Sequence, residues 1–117
     1  RRERGAGLYR EHCAACHGMQ GEGRRDTSGA WAYPALARSR TVTQASAANL
    51  IRIIERGGFA PATPGHPRPY GMPPFAGLLG AEDIAALASH LRQSFGHVAG
   101  EVDAVEVLRL RAAAAVH

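Results

Sequence analysis

Two thiols and an imidazole stand together in the segment Cys13-Ala14-Ala15-Cys16-His17. On a helical turn, cysteines three positions apart project to one side. The pattern C-x-x-C-H is that of covalent haem attachment: each thiol adds across one of the two haem vinyl groups, and the next residue points its imidazole at the iron. Paired cysteines serve two other chemistries. A redox dithiol wants a βαβ neighbourhood, which this sequence lacks. A zinc site wants a second Cys or His pair at ligand spacing, which His66, His90 and His97 do not make.

The second iron ligand decides what such a haem does. With one protein ligand the iron keeps an open position for small molecules or peroxide; with His and Met it is closed, and the thioether raises its reduction potential. The chain has two methionines. Met19 follows His17 by two residues and cannot reach round to the opposite face. Met72 lies in Gly71-Met72-Pro73-Pro74-Phe75, far enough along to wrap over the other side. Pro73 pushes Met72 away from helical φ/ψ into an extended strap, and neighbouring prolines stiffen the loop, so little entropy is lost in holding sulfur against iron. The competing reading of an isolated methionine is a core gap-filler, with His66 or His90 as the ligand instead.

These residues need elements to hold them. Residues 2–13 carry a short helical pattern leading into the cysteines, and 18–34 read as a loop ending at Tyr33-Pro34. A helix is predicted from Ala47 to Arg56, with Leu50, Ile51, Ile53 and Ile54 at mostly helical spacing and Gly57-Gly58 as its stop. Residues 60–75 contain Pro61, Pro64, Pro67, Pro69, Pro73 and Pro74, which exclude regular structure. Another helix opens with Glu82 and Asp83, buries one narrow face of Ile84, Leu87, Leu91 and Phe95, and ends at Gly96. A last short helix takes Asp103 as N-cap and turns Val105 and Leu108 inward. With no repeats and no β-alternation, the expected class is all-α. The expected organisation is a haem domain over 1–97 and a helical tail over 98–117 that packs on it or extends it.

A chain of 117 residues has room for one domain, and one this size buries roughly two thirds of the surface its unfolded form exposes. Aromatics are only 6% of the residues and many apolar positions are alanine, so a buried macrocycle would supply the surface the side chains lack. The net charge is +4, carried by fourteen arginines and no lysine. Guanidinium groups prefer planar anions, which points to an acidic partner. Nucleic acid is disfavoured, because the arginines are scattered apart from Arg1, Arg2 and Arg4 and no aromatic residues interleave with them. No stretch approaches the roughly 20 apolar residues of a membrane span. The opening RRERG suggests a trimmed product or an excised domain.

Over nearly its whole length the chain resembles the class I cytochromes c. The resemblance lies in GAGLYREHCAACHG at 5–18, YPALA at 33–37, NLIRIIERGG at 49–58 and GMPPFAGLLGAEDIAALASHLRQSFGH at 71–97. More narrowly, it is similar to the haem domains in cytochrome subunits of membrane-associated dehydrogenases for alcohols, aldehydes and related substrates. That likeness implies a class I cytochrome c fold around one haem c, with Gly5 and Tyr9 of the first helix meeting the last core helix at a close crossing. It implies that the Pro34 carbonyl accepts the Nδ1–H of His17, the alternative being a simple turn proline. Leu36 would pack on the porphyrin, and Arg38 and Arg40 are candidates to pair with its propionates, or else are solvated surface residues. Departures from the pattern are His90 in place of an aromatic, Phe95 and His97 where Trp and Asn are usual, and Gly80 for a Ser or Thr N-cap.

The implied function is outer-sphere, one-electron transfer with no bound substrate, between a dehydrogenase as donor and an oxidase or another cytochrome as acceptor, in the periplasm. Cys13 and Cys16 are then attachment points, and the chain is a carrier or relay rather than an enzyme. Two alternatives stay open: a haem domain of a larger dehydrogenase, and a gas-binding or peroxidatic haem with an open iron.

Overall fold

The computed structural model describes residues 2–29, 31–33, 35–37, 39–59, 71–95, 97 and 99–115. The helices are α1 (Arg2–His12), α2 (Ala14–His17), α3 (Arg40–Thr43), α4 (Ala48–Arg56), α5 (Ala81–Arg92) and α6 (Ala104–Ala115). Between them run β1 (Arg24–Arg25), β2 (Trp31–Tyr33), β3 (Gly58–Phe59) and β4 (Gly71–Met72). The body is all-α as expected. To it are added two antiparallel ribbons, β1–β2 and β3–β4. Strands of two or three residues are too short to show alternation, which is why the sequence does not announce them.

α5 is the hub, packing against α1, α3, α4 and α6. Its buried side is wider than the single apolar face expected: Ile84, Leu87 and Leu91 are buried, and so are Ala85, Ala86, Ala88, Ser89 and Arg92. Alanines count for little in a hydrophobic pattern, yet they admit neighbouring backbones on several sides. α1 uses this most closely. A Cβ on Gly5 would overlap the Ala86 carbonyl oxygen and stand 2.8 Å from the His90 Cβ, so the crossing requires glycine. One turn on, the buried Tyr9 ring lies 5.7 Å from the His90 ring and 5.1 Å from that of Phe95. The crossing implied for Gly5 and Tyr9 is present.

α5 stops at Arg92, short of Phe95. Phe95 sits at φ 56°, a left-handed conformation uncommon for an aromatic, and this turns its ring back over Gly21 and Tyr9. Gly96, the expected stop, lies outside the described residues. Along α4, Leu50, Ile51 and Ile54 are buried as predicted, while Ile53 points outward and Glu55 inward.

The tail begins as predicted and then turns the other way. Asp103 Oδ1 accepts the Glu106 N–H at 2.9 Å, an N-cap for α6. Val105 and Leu108, however, are 60% and 53% exposed, and the inward residues are Val102 and Val107, with Leu110 packed against the core. Residues 105/108 and 107/110 satisfy the same three-residue spacing, so periodicity cannot choose between the faces; partners decide. Arg111 Nε donates to both Glu55 carboxylate oxygens, at 2.7 and 2.9 Å, and its Nη2 donates to the Leu79 carbonyl at 2.9 Å. Upstream, the Val102 N–H donates to Ser89 Oγ at 2.8 Å, and that hydroxyl donates to the Val102 carbonyl. Buried Arg92 donates to the carbonyls of Gly100, Val42 and Gln44 at 2.7, 3.1 and 2.7 Å, tying the chain on either side of α5 to its last turn.

Candidate functional site

Cys13 occupies the break between α1 and α2, and hydrogen bonds carry the helical turn through it. The Cys13 N–H donates to Tyr9 O at 2.9 Å, and the N–H groups of Cys16 and His17 both donate to Cys13 O, at 3.2 and 2.9 Å. The two thiols therefore share one turn. Both cysteines are free, Cys13 buried and Cys16 half-exposed. Gly18 closes the turn at φ 88°, where a Cβ would strike the Glu22 carboxylate, and its carbonyl accepts the Tyr9 hydroxyl at 2.5 Å. Burial, then the charges of Cys13 and Glu22, pushes that phenol up to about 12, so it is held as a donor. His17 is buried, and its carbonyl accepts the Gly23 N–H at 2.7 Å.

The Cys13 thiol does not have the electrostatics of a redox nucleophile. Burial, then the neighbouring Cys16, pushes the Cys13 thiol up to about 11, whereas a redox-active thiol is held below its ordinary value by cationic or helix-N-terminal surroundings. Nor, among the described residues, do three His, Cys, Asp or Glu side chains gather as a metal cage.

Met72 reaches the same core from the far side of the sequence. β4 pairs it with Gly58, and the strap that follows is fastened to the end of α4: the Phe75 N–H donates to Ile54 O at 3.0 Å and the Ala76 N–H to Glu55 O at 3.1 Å. Gly57, at φ 67°, lies directly against the strap; a Cβ there would overlap the Met72 carbonyl oxygen and stand 2.8 Å from the Pro73 carbonyl carbon. Half-buried Met72 packs on the apolar cluster that contains Cys13, and Leu36 packs on that cluster too. The Leu36 loop is held at both ends. Its N–H and that of Ala37 donate to Gly21 O at 2.7 and 3.0 Å, and its carbonyl accepts from His97 Nε2 at 2.7 Å.

Cys13, Leu36 and Met72 thus belong to or border one apolar cluster, with Cys16 and His17 on the same turn as Cys13. Arg40 opens α3 at the exposed surface, and Pro34 and Arg38 lie outside the described residues. The donor set suits a covalently held porphyrin: two free thiols on one turn, an adjacent imidazole, and a thioether on a braced strap against the same apolar cluster. Local reading of the sequence did not find Gly57 as a support of the strap, nor His97 as a support of the Leu36 loop, since each acts on a residue distant in sequence.

The family model for cytochrome c matches residues 2–95. The chain belongs to the cytochrome c family. The helical architecture is accordingly that of a class I cytochrome c, a family whose haem c is covalently attached and whose domains carry electrons. The chain is also similar to proteins named alcohol dehydrogenase (quinone), cytochrome c subunit. It is 33% identical over 108 residues to those of Gluconacetobacter polyoxogenes and Komagataeibacter europaeus, and 30% identical to that of Gluconobacter oxydans. Each match covers 92% of this chain and 22% of the relative, so the chain spans well under a third of the curated relatives it matches. No helix among the described residues is long and apolar enough to cross a membrane.

Proposed function

We propose that this cytochrome relays single electrons from a dehydrogenase to a downstream oxidase or cytochrome, with its haem tethered by Cys13 and Cys16 and its iron held between His17 and Met72. Bound haem supplies a one-electron Fe(III)/Fe(II) couple. The chain's part is to fix the ligands and to exclude competing ones. His17 is seated by the turn that Tyr9 and Gly18 close. Met72 is held by a strap whose two hydrogen bonds to α4 and whose contact with Gly57 leave it little freedom. His17 and Met72 held as ligands in both oxidation states would leave few atoms to move on electron transfer and would keep a gas or peroxide from the iron. The bracing of Met72 against α4 carries this reading over an open-iron haem.

The relatives named alcohol dehydrogenase (quinone), cytochrome c subunit support a dehydrogenase as the donor, and we take one as the electron source. Because those relatives are named as subunits, relay within a larger dehydrogenase assembly is the form of the proposal we favour. The haem unit would span 1–97 with the 98–117 tail docked upon it, and it would work in the periplasm, where c-type haem is assembled in this family.

Met72→Ala is the test. The oxidised wild-type protein is expected to show the long-wavelength sulfur-to-iron charge-transfer band, and the variant to lose it and to have a lower reduction potential. An unchanged spectrum would reject Met72 as ligand.

A further inference from the structure

Between α4 and α6, an open cavity of about 300 Å³ is lined by Ile51, Arg52, Glu55, Arg56, Leu110 and Arg111, together with Ala76. Glu55 and Ala76 also fasten the Met72 strap, through the Ala76 N–H on the Glu55 carbonyl, whereas Arg52, Arg56 and Leu110 have no part in holding it. Ala76 and Leu110 supply an accessible apolar lining over the fully buried Ile51, extended by the aliphatic stems of the arginines. At about 30 Å³ per heavy atom, the space holds on the order of ten.

The charges around it are unequal. Glu55 is already engaged by Arg111, whose Nε bonds both carboxylate oxygens and whose Nη2 is committed to the Leu79 carbonyl. That leaves Arg52 and Arg56, both exposed and four residues apart on α4, so that they stand one above the other on one face. Arg56 in the last turn also complements the helix dipole, but a second guanidinium one turn earlier and beside an apolar recess gains nothing from it. Two planar forks at the mouth of an apolar cavity suit a carboxylate with an apolar body.

We propose that this cavity binds a monocarboxylate of about ten heavy atoms with an unbranched or compact apolar body, its head between Arg52 and Arg56 and its body against Ala76 and Leu110. The two arginines replaced in the test lie outside the Met72 strap, so binding is read separately from haem ligation.

The experiment is calorimetric and NMR titration of the haem-loaded protein with sodium octanoate. Saturable one-to-one binding with shifts confined to α4, Ala76 and α6 is expected, weakened about tenfold or more in Arg52→Ala/Arg56→Ala and unchanged in Arg109→Ala, an exposed arginine outside the cavity lining. Octan-1-ol, the same body without the charge, should bind at least about tenfold more weakly. The proposal is overturned by absent or non-saturable octanoate binding, by equal binding of octanol, or by equal weakening in Arg109→Ala, which would mark a net-charge effect. Vesicles of phosphatidylcholine with phosphatidylglycerol form the last arm: binding to them without binding to free octanoate would assign the arginines to a bilayer surface and overturn the cavity site.

Discussion

Gly57 lies against the backbone of Met72 so closely that no side chain fits between them, and it does so at a left-handed φ of 67°. The end of α4 and the methionine strap are therefore a single construction. Replacing Gly57 with alanine would impose both a disfavoured backbone conformation and a collision with the Met72 carbonyl. We expect Gly57→Ala to destabilise the fold by about 1–3 kcal/mol and to weaken the sulfur-to-iron band at neutral pH. Urea unfolding read alongside the oxidised-state spectrum measures both; a variant with full stability and a full band would show that the strap does not depend on this contact.

Arg92 is buried with its guanidinium on three carbonyls, those of Val42, Gln44 and Gly100. Arg92→Met keeps most of the volume and the buried stem but leaves those acceptors without a donor. The expected loss is about 2–4 kcal/mol, from unmet buried polar groups and a lost charge-assisted set. A loss under about 1 kcal/mol in equilibrium unfolding would mean that water reaches the carbonyls and replaces the side chain.

How far these features could be read from the sequence depends on how local their causes are. Cys13, Cys16 and His17 fall within five residues on one turn, so their chemistry is visible in five letters, and the Ile84, Leu87 and Leu91 spacing marks α5 equally directly. The inward face of α6 was not visible, because 105/108 and 107/110 obey one period and only Glu55, 56 positions before Arg111, breaks the tie. Arg92 looks like any other arginine until α3 is folded onto it, with Val42 and Gln44 lying 50 and 48 residues away. Gly57 reads correctly as a helix stop, yet its second duty concerns a residue fifteen positions on. The sequence names the chemical groups, and long-range packing supplies what holds them.

The Arg111–Glu55 pair should govern how firmly α6 is docked. Its geometry is close, with the Glu55 carboxylate buried and the arginine partly so. Arg111→Ala removes this bond and the one to Leu79, leaving a buried carboxylate without its cation. We expect faster amide hydrogen exchange through residues 104–115, with the α1–α5 crossing unaffected, and a global loss of about 1–3 kcal/mol. Exchange that rises evenly across the chain would instead make α6 part of one cooperative core.

His90 gives the α1–α5 crossing a dependence on pH. Its imidazole packs against both the Tyr9 and the Phe95 rings, at 5.7 and 5.9 Å, with Ser94 Oγ 3.2 Å from Nδ1. Burial, then the nearby Arg10 charge, lowers its pKa below the ordinary 6.5. The unfolded chain therefore binds this proton at a higher pH than the folded one. The stabilisation from a neutral His90 is complete above about pH 6.5, diminishes as pH falls from there through the depressed folded value, and is gone below it. Other histidines titrate in the same range, so the informative quantity is a difference: unfolding free energy between pH 8 and 5 for the wild type and for His90→Phe, which keeps the ring contacts without the titration. The wild type is expected to lose more stability on acidification than the variant. Parallel curves would show that protonated His90 is accommodated beside Tyr9 at no cost.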